Sequence, residues 1–400
     1  MTENTVVASA PKQGGKGLTI GIAVAAVVTV IGVALWIMQL TGGMVQTGMR
    51  NLDSWGLYIT SFMFFVGMSA GGLIISSIPN AFGMKGFGGV SKVAIWTAVC
   101  CTVVAIGFVV VDLGQPVRLW ELFAFSNFAS PLMWDILVIG AYLILSCVYL
   151  WAYLRYEAGK LSHTALRVLS VIALVIAVGV HTVTAWIFAL GPAHEFWHTA
   201  LMGPWFVASA LVCGTALVMV VVMALRKTGY LDVEQDNIVR MAKMLGAFIC
   251  VDLYFFACDL LTSGYFAGDG REVVAMLTSG PLAPFFWCQI VLSIVAIVIC
   301  FTPQLRSNTL LVVAGVAAMV AVFFKRVQIL VGGFQIPNLE LAGVMNSNTA
   351  TVADGSYAHA FEGLVYGPAP IEIGVSLGVV ALGVLLLLVG LKMLDLKPKE

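Results

Sequence analysis

The sequence predicts an all-α integral membrane protein with about ten transmembrane helices. Two observations carry this prediction. Of the 400 residues, 60% are hydrophobic and only 10% are charged, which is far more apolar than the core of a water-soluble domain requires. The apolar residues are also gathered into long runs separated by short polar, glycine- or proline-containing connections, which is typical of helices that cross a bilayer repeatedly.

Ten apolar runs follow one another, and as helices each is long enough to cross a hydrocarbon layer of about 30 Å. They cover residues 18–40, 53–79, 90–113, 131–154, 166–191, 200–225, 239–263, 282–301, 308–332 and 369–394. The first run is too long for a signal-peptide core and shows no small-residue cleavage site, so we expect a retained helix behind a cytoplasmic tail, 1–17. The segment 333–368 is the one long loop that we expect.

The lysines and arginines predict how the chain is oriented. Most of them fall at one set of helix ends, together with both termini, whereas Arg50, Arg118 and Arg271 fall in the opposite loops. Cytoplasmic loops are enriched in Lys and Arg, so we expect both termini to be cytoplasmic. The formal net charge of zero argues against a nucleic-acid partner.

A faint internal repeat divides the chain. Trp55, Asp112 and Pro131 have counterparts at Trp205, Asp259 and Pro281, about 150 residues later. We therefore predict two tandem four-helix bundles in the same orientation, 18–154 and 166–301, plus a C-terminal helix pair within 308–394 that carries the long outer loop 333–368. Chance similarity between apolar helices is the alternative explanation of the repeat.

Ionisable residues inside the apolar runs are few, and such residues are costly in lipid and usually functional or paired. They are Asp112, His181, Asp252, Asp259, Lys325 and Arg326. In the predicted orientation all of them lie at the midplane or outside it, which indicates a polar pocket reached from the outer side. Structural ion pairs between the acids of one helix and the bases of another explain Asp252, Asp259, Lys325 and Arg326 equally well. His181 is equally consistent with a hydrogen-bonded residue between helices.

Metal chemistry is not predicted for this chain. The eight cysteines lie in apolar runs without a CxxC pair, so we expect no iron–sulfur cluster and no zinc. The histidines other than His181 fall in or near loops, so we expect no haem held between two histidines in the bundle.

Several motifs together resemble one family. They are Asp53-x-Trp-Gly-Leu-Tyr with the following Phe64-Phe-Val-Gly-Met-Ser-Ala-Gly-Gly, Asp112-Leu-Gly-Gln-Pro-x-Arg118 with Trp120, Ser130-Pro-Leu-Met-Trp-Asp135, His181-Thr-Val-Thr-Ala-Trp and Phe206-Val-Ala-Ser-Ala-Leu. The combination, which spans most of residues 50–335, is similar to the polysulfide-reductase membrane-anchor family (NrfD-like). Ten helices match the longer members of that family.

The resemblance implies a membrane subunit of a respiratory oxidoreductase complex that exchanges electrons with menaquinone or ubiquinone. It also implies a partner on the outer side, an iron–sulfur (ferredoxin-like) subunit and/or a multihaem cytochrome, together with a catalytic subunit. The expected location is the bacterial cytoplasmic (inner) membrane. In this family the quinone pocket lies near the outer face and is formed largely by the first four-helix unit.

Roles for individual residues follow from the resemblance and from the residue types. We expect Asp112 and His181 to handle protons. The residues expected around the quinone are Trp55, Tyr58, Thr60, Ser61 and Arg118. Asp252, Asp259, Lys325 and Arg326 are expected to form either a proton path or structural ion pairs. Short anchors of the family carry Asn and His where this chain has Thr60, Ser61 and Met63, so their headgroup contacts do not transfer.

Two other functions remain open on the sequence alone. A transporter or channel fits internal repeats and intramembrane charges. A purely structural anchor for an outer enzyme fits the same helices. The identity of co-purifying subunits and the binding of quinone analogues distinguish these alternatives.

Overall fold

The computed structural model describes residues 15–50, 53–82, 88–192, 194–265, 268–335, 366–394 and 396–397. Within these ranges the chain is helical and contains no β-strand. Ten helices are long and apolar enough to cross a membrane, which confirms the predicted all-α integral membrane fold. Most of the tail 1–17 and most of the predicted loop 333–368 lie outside the described residues.

Twelve helices are labelled here in chain order, and α4 and α9 are too short to span a bilayer. They are α1 (Lys16–Gly42), α2 (Leu57–Phe82), α3 (Gly88–Asp112), α4 (Glu121–Ala124), α5 (Pro131–Glu157), α6 (His163–Ala189), α7 (Met202–Lys227), α8 (Gln235–Tyr265), α9 (Asp269–Thr278), α10 (Ala283–Phe301), α11 (Asn308–Gln335) and α12 (Pro370–Met393).

Local chemistry accounts for several helix boundaries. Pro131 and Pro370 begin α5 and α12, where a missing backbone N–H costs nothing. The Ser162 hydroxyl caps α6 by accepting a hydrogen bond from the backbone of Ala165. Gly159 and Gly229 follow the ends of α5 and α7 with φ of 71° and 73°, a left-handed conformation that glycine adopts without strain.

The helices pack as two rings of four. In the first ring α2 contacts α3, α3 contacts α5, α5 contacts α6, and α6 returns to α2. In the second ring α7, α8, α10 and α11 contact one another in the same cyclic order. The boundaries predicted from the sequence, 18–154 and 166–301, instead placed α1 in the first bundle, α6 in the second and α11 outside both.

The repeated landmarks occupy matching places in these rings. Trp134 lies in the first turn of α5, and its indole N–H donates to the Phe128 carbonyl at 2.6 Å. Trp287, in the first turns of α10, donates in the same way to the Thr278 carbonyl at 3.0 Å. Each indole forms a hydrogen bond with the loop that precedes its helix. The two halves therefore share this hydrogen bond as well as the order of their helices.

The rings meet chiefly along α2 and α7. At the crossing Gly71 faces Gly214, and a Cβ atom on either glycine would overlap the backbone of the opposite helix. Small residues at a helix crossing let two backbones approach closely, which is how helices associate in lipid. Gly71 of the α2 motif therefore serves the contact between the two rings.

The first and last helices form a separate pair. α1 packs mainly against α12, with Gly32 against Gly378 at the closest approach, and α12 also packs on α3. We call the end of the molecule where α2 begins the Tyr58 end, and the opposite end the Lys92 end. Because successive spans alternate in direction, α1 and α3 end, and α12 begins, at the Tyr58 end.

A charged group is buried at the Lys92 end. The Lys92 side chain is fully buried, and its Nζ lies 2.6 Å from Glu157 Oε2 of α5 and close to the Lys397 carbonyl. Lys92 is the fifth residue of α3 and Glu157 is the last residue of α5, so the pair lies at the helix end to which the sequence assigns most lysines and arginines. There the lysine joins α3, α5 and the segment after α12.

Candidate functional site

Three helices converge on a tyrosine at the Tyr58 end. Tyr58 is fully buried in the first turn of α2, and its hydroxyl donates to Oε1 of Gln39 on α1 at 2.5 Å. The Gln39 amide N–H donates in turn to the Val111 carbonyl on α3 at 3.2 Å. The chain of hydrogen bonds leads from α2 through α1 to the residue before Asp112.

Asp112 ends α3 beside this tyrosine. The residue is partly exposed, but its Oδ1 atom is buried and has no hydrogen-bond partner among the described residues. Asp112 lies within electrostatic range of Glu372, and both carboxyls lie within range of Tyr58. An acceptor atom without a donor at a buried position is costly unless a ligand or water completes it.

Glu372 brings α12 into the same site. It is fully buried and accepts hydrogen bonds from the backbone N–H groups of Gly48 at 2.6 Å and Ala369 at 2.7 Å. The Tyr366 hydroxyl donates to its Oε1 at 2.6 Å and accepts from the backbone N–H of Leu57 at 2.7 Å. Burial and this bond to Glu372 raise the pKa of Tyr366 above its ordinary value.

We name Tyr58, Gln39, Asp112, Glu372 and Tyr366 the Tyr58 cluster. Sequence reasoning selected Tyr58 and Asp112 but missed Gln39 and Glu372, which it left unremarked inside the first and last apolar runs. A carboxylic acid within an otherwise apolar run was the available signal for Glu372. The role of Gln39 depends on the pairing of α1 with α12, which no local pattern reveals.

A cavity of about 510 Å³ begins next to the Tyr58 cluster. Its lining starts at Leu113, the neighbour of Asp112, and continues through the loop that carries α4 into the first turns of α5. Most of the lining is apolar, with Arg118, Glu121 and Gln115 among the polar residues. Neither Tyr58 nor Asp112 lines this cavity, and neither does His181, so Arg118 is the predicted site residue that its lining contains.

Arg118 lies on the wall of this cavity and is exposed. It makes a bidentate contact with Glu121, at 2.9 and 2.8 Å, and the bond lowers the pKa of Glu121. Asp112, six residues earlier, is the other acid near Arg118 in the sequence. Arg118 pairs with Glu121 because these two residues are three apart in a helical turn.

The other residues predicted around the quinone lie on α2 or just before it. Thr60 and Ser61 are buried in α2. Trp55 packs in an aromatic cluster with Phe188, Trp197 and Phe334, at ring centroid distances of 6.1, 6.4 and 6.2 Å. The indole therefore contacts α6, α11 and the segment before α7, whereas Tyr58 contacts α1.

Asp53 is a further buried acid close to the start of α2. It is 2% exposed, and its Oδ1 has no hydrogen-bond partner within the described parts of the chain. Burial raises the pKa of Asp53.

His181 belongs to a second polar cluster, deeper in the helices and at the junction of the two rings. Its Nε2 lies 3.1 Å from the guanidinium of Arg326, which also donates to Ser209 at 2.7 Å and stacks over the Phe206 ring at 3.8 Å. Arg326 is fully buried, and its Nε and Nη1 have no partner among the described residues. His181 lies eight residues, about 12 Å along the axis, from the end of α6.

The neighbouring lysine is paired with an acid. Lys325 Nζ lies 2.5 Å from Asp252 Oδ1 and 3.9 Å from the centre of the Trp205 ring. Of the two acids proposed from the sequence as partners, Asp252 makes the pair, while Oδ1 of Asp259 is buried without one among the described residues. We name His181, Ser209, Asp252, Lys325 and Arg326 the His181 cluster.

Metal ligands do not gather in the described part of the chain, where no group of three His, Cys, Asp or Glu residues comes together. The cysteines are free thiols, four of them buried among the helices.

Known proteins similar to this chain include subunits of oxidoreductases. A putative dimethyl sulfoxide reductase membrane subunit of Halobacterium salinarum is 32% identical over 397 residues, covering 94% of this chain and 91% of that protein. A selenate reductase subunit of Mesobacillus selenatarsenatis is 24% identical and covers 93% of each chain. The Hdr-like menaquinol oxidoreductase integral membrane subunit of Archaeoglobus fulgidus is 24% identical, covering 95% of this chain and 93% of that protein.

The family model described as "Polysulphide reductase, NrfD" matches residues 45–338, which run from just before α2 to just after α11. The match therefore contains both four-helix rings and leaves out the α1–α12 pair. With its ten apolar helices and this match over most of its length, the chain is a multi-pass integral membrane protein of the NrfD polysulfide-reductase family.

Proposed function

We propose that this chain is the quinone-reactive membrane subunit of a multi-subunit respiratory oxidoreductase. It passes electrons between the quinone pool and an iron–sulfur (ferredoxin-like) subunit and/or a multihaem cytochrome, which serves a catalytic subunit. The relatives support a place in a reductase complex, since their names describe subunits of such enzymes. The name of one relative, a menaquinol oxidoreductase subunit, supports the quinone as the carrier.

One observation of the structure carries the proposal. The unpartnered Oδ1 of Asp112 lies at the helix end from which the apolar 510 Å³ cavity continues. A cavity of roughly 300–1,000 Å³ with mostly apolar walls and a few polar groups is typical of small-molecule sites. A quinone ring with an isoprenoid tail matches both features, because its ring oxygens need polar partners and the rest of the molecule is apolar.

The chemistry assigned to the chain's own residues is proton handling and positioning. Oxidation of a quinol releases two electrons and two protons. Asp112 is the group that accepts or returns a proton at the headgroup oxygen, with Tyr58 as its hydrogen-bonding neighbour. The buried residues Thr60 and Ser61 of α2 exclude water from the edge of the ring, Trp55 packs just before the same helix, and Arg118 flanks the cavity mouth.

The electrons leave or arrive at the Tyr58 end. We infer that this end faces the outer side of a bacterial inner membrane, since the lysines and arginines are concentrated at the Lys92 end and in the tails. The partner subunit then docks on the loops of the Tyr58 end, within electron-transfer distance of the headgroup.

We assign a different role to the His181 cluster. Its buried charges connect α6, α7, α8 and α11 below the Tyr58 end, where they serve either as a proton path to the headgroup or as structural ion pairs. Asp259 is kept with this assignment because it lies on the same helix as Asp252.

The test is the substitution Asp112→Asn in the intact complex. We expect quinol-dependent turnover to fall about 100-fold or more, since loss of a general base typically costs about 10²–10⁴-fold. The complex should assemble normally because the amide is isosteric. The measurement is quinol oxidation or quinone reduction coupled to the natural partner, with subunit content checked by gel filtration.

Glu195→Gln serves as the matched control, since Glu195 is an exposed carboxylate in a loop at the same end. Its turnover should equal that of the wild type. Full turnover by Asp112→Asn would remove Asp112 from the mechanism. Failure of any quinone analogue to bind or inhibit would favour the structural anchor, and solute flux through the isolated chain would favour a transporter.

A further inference from the structure

At the Lys92 end, the second ring has two bases where the first ring has a base and an acid. In the first ring Lys92 of α3 pairs with Glu157 at the end of α5. The corresponding residues, about 150 positions later as in the internal repeat, are Arg240 of α8 and Arg306 just after α10. The second ring therefore repeats the position of this ion pair without its acid.

The two places also differ in what covers them. In the first ring α12 packs on α3, and the Lys397 carbonyl in the segment after α12 accepts a hydrogen bond from Lys92. In the second ring α8 packs mainly on its ring neighbours α7 and α10. Tyr254 of α8 and Val298 and Phe301 of α10 are exposed. The outer faces of α8 and α10 are therefore apolar and uncovered within the described part of the chain.

Three bases lie near the crossing of these two helices, which we name the α8–α10 seam. A Cβ atom on Gly246 of α8 would lie 2.8 Å from the Phe301 ring of α10, so the helices touch there. The Arg306 guanidinium donates to the Phe301 carbonyl at 2.8 Å, which places it at the same crossing. Lys243 lies three residues before Gly246 on α8, and Arg240 lies three residues before Lys243. One turn of helix therefore separates each of these residues from the next.

No acid among the described residues forms an ion pair with these three bases. α7, α10 and α11 contain no Asp or Glu, and Asp252, the next acid along α8, is bound by Lys325. Other acids lie in the connection before α8 and in its first turn, nearer the aqueous side than the bases. They are Asp232, Glu234 and Asp236.

Two of the bases lie at the boundary of the hydrocarbon layer and not in a loop. α8 has 31 residues and is about 46 Å long, which exceeds a hydrocarbon layer of about 30 Å. Arg240 and Lys243 lie about 8 Å and about 12 Å from its start, and both are exposed. Their alkyl stems can lie along the apolar helix surface while the charged groups reach the level of the lipid headgroups.

We propose that the α8–α10 seam binds one anionic phospholipid at the Lys92 end. Its phosphate lies among Arg240, Lys243 and Arg306, and its acyl chains lie on the exposed apolar faces of the two helices. The lipid provides the negative charge that Glu157 provides in the first ring, and the apolar cover that α12 provides there. A zwitterionic lipid has the same chains but no net charge, so the three bases favour the anionic lipid. This site is at the opposite end of the molecule from the Tyr58 cluster and is independent of the proposed function.

The experiment is native mass spectrometry of the complete complex, titrated with palmitoyl-oleoyl phosphatidylglycerol or with phosphatidylcholine that has the same chains. We expect the wild type to bind one phosphatidylglycerol at least tenfold more tightly than phosphatidylcholine. Raising the ammonium acetate from about 0.05 M to about 0.5 M should weaken the binding of phosphatidylglycerol, because salt screens exposed charges. The binding of phosphatidylcholine should not change.

Arg240→Gln/Lys243→Gln removes two of the three bases at exposed positions. We expect its affinity for phosphatidylglycerol to fall about tenfold or more, since each base near a lipid surface contributes to the attraction of anionic lipid. Arg155→Gln/Lys160→Gln is the matched control, because it removes two exposed bases from the same end of the first ring. The control should keep the affinity of the wild type.

Thermal unfolding in phosphatidylcholine nanodiscs checks that the variants fold. Arg240→Gln/Lys243→Gln should keep the wild-type midpoint there and lose the increase in midpoint that phosphatidylglycerol nanodiscs give the wild type. Equal binding of the two lipids by the wild type, or equal losses in the two double variants, would overturn the proposal. Complete displacement of the lipid by glycerol phosphate would also overturn it, because an anion without acyl chains would then fill the site.

Discussion

Two adjacent basic residues on α11 have opposite environments. Lys325 is neutralised by Asp252 and covered by the Trp205 ring, so its charge is paired and shielded. The guanidinium of Arg326 contacts His181 and Ser209, neither of which is an acid. Its Nε and Nη1 atoms have no hydrogen-bond partner among the described residues. Each buried donor without a partner costs about 1–3 kcal/mol. The His181 cluster thus holds two bases and one acid, and the buried carboxyl of Asp259 lies within electrostatic range of Lys325.

At this scale we predict that Asp252→Asn destabilises the protein by about 3–5 kcal/mol, because it leaves the Lys325 charge buried and unpaired. The measurement is the midpoint of thermal unfolding in detergent. Asp259→Asn on the same helix should cost less, since Lys325 pairs with Asp252 and the hydrogen bond of Asp259 is to the Thr199 side chain, which is uncharged. The double variant Asp252→Leu/Lys325→Met should recover most of the loss. Equal midpoints for Asp252→Asn and the wild type would argue against a functional ion pair at this position.

At the scale of helices, the contact between the rings depends on backbone proximity more than on side-chain size. Gly71 and Gly214 allow α2 and α7 to touch, and Gly32 and Gly378 do the same for α1 and α12. In lipid there is little hydrophobic force between helices, so such close packing supplies much of the association energy. The positions of Tyr58 and Gln39 depend on these two crossings.

We predict that Gly214→Leu separates α2 from α7 and destabilises the protein by about 1–3 kcal/mol, the usual cost of overpacking. Gly179→Leu on α6 is the matched control, because a Cβ atom there meets nothing within 4 Å. Thermal unfolding and the yield of monodisperse protein report the difference. Comparable losses in both variants would mean that the crossing tolerates separation.

For the whole molecule, the polar groups are unevenly divided between the two ends. The Tyr58 end carries the Tyr58 cluster, the cavity and the aromatic loop around α4, in which Val117, Phe125 and Phe128 are exposed. The Lys92 end carries the buried Lys92–Glu157 pair and most of the Lys and Arg residues. This division fits a protein that meets a redox partner at one end only.

The orientation that follows is testable by cysteine labelling in intact cells. We predict that Ser126→Cys, in the loop after α4, reacts with a membrane-impermeant maleimide from outside. Lys160→Cys, in the α5–α6 loop, should react only after the cells are permeabilised, because positively charged loops stay in the cytoplasm. Signals are read as the increase over the wild-type cysteines. The reverse pattern would invert the protein and place the partner subunit in the cytoplasm.

The sequence by itself determined the membrane class, the ten spans and the family resemblance, because hydropathy, charge bias and short motifs are local properties of the chain. It also identified Tyr58 and Asp112 and the basic residues of α11 as unusual for their positions. The tertiary structure alone decided that Asp252 rather than Asp259 pairs with Lys325, that Arg118 turns to Glu121, and that the first and last helices pack together. The same packing brought Gln39 and Glu372, more than 300 residues apart in sequence, to one site. In lipid, shape complementarity and hydrogen bonds between helices determine which helices pack together. The hydropathy of the apolar runs is too similar to predict these pairs.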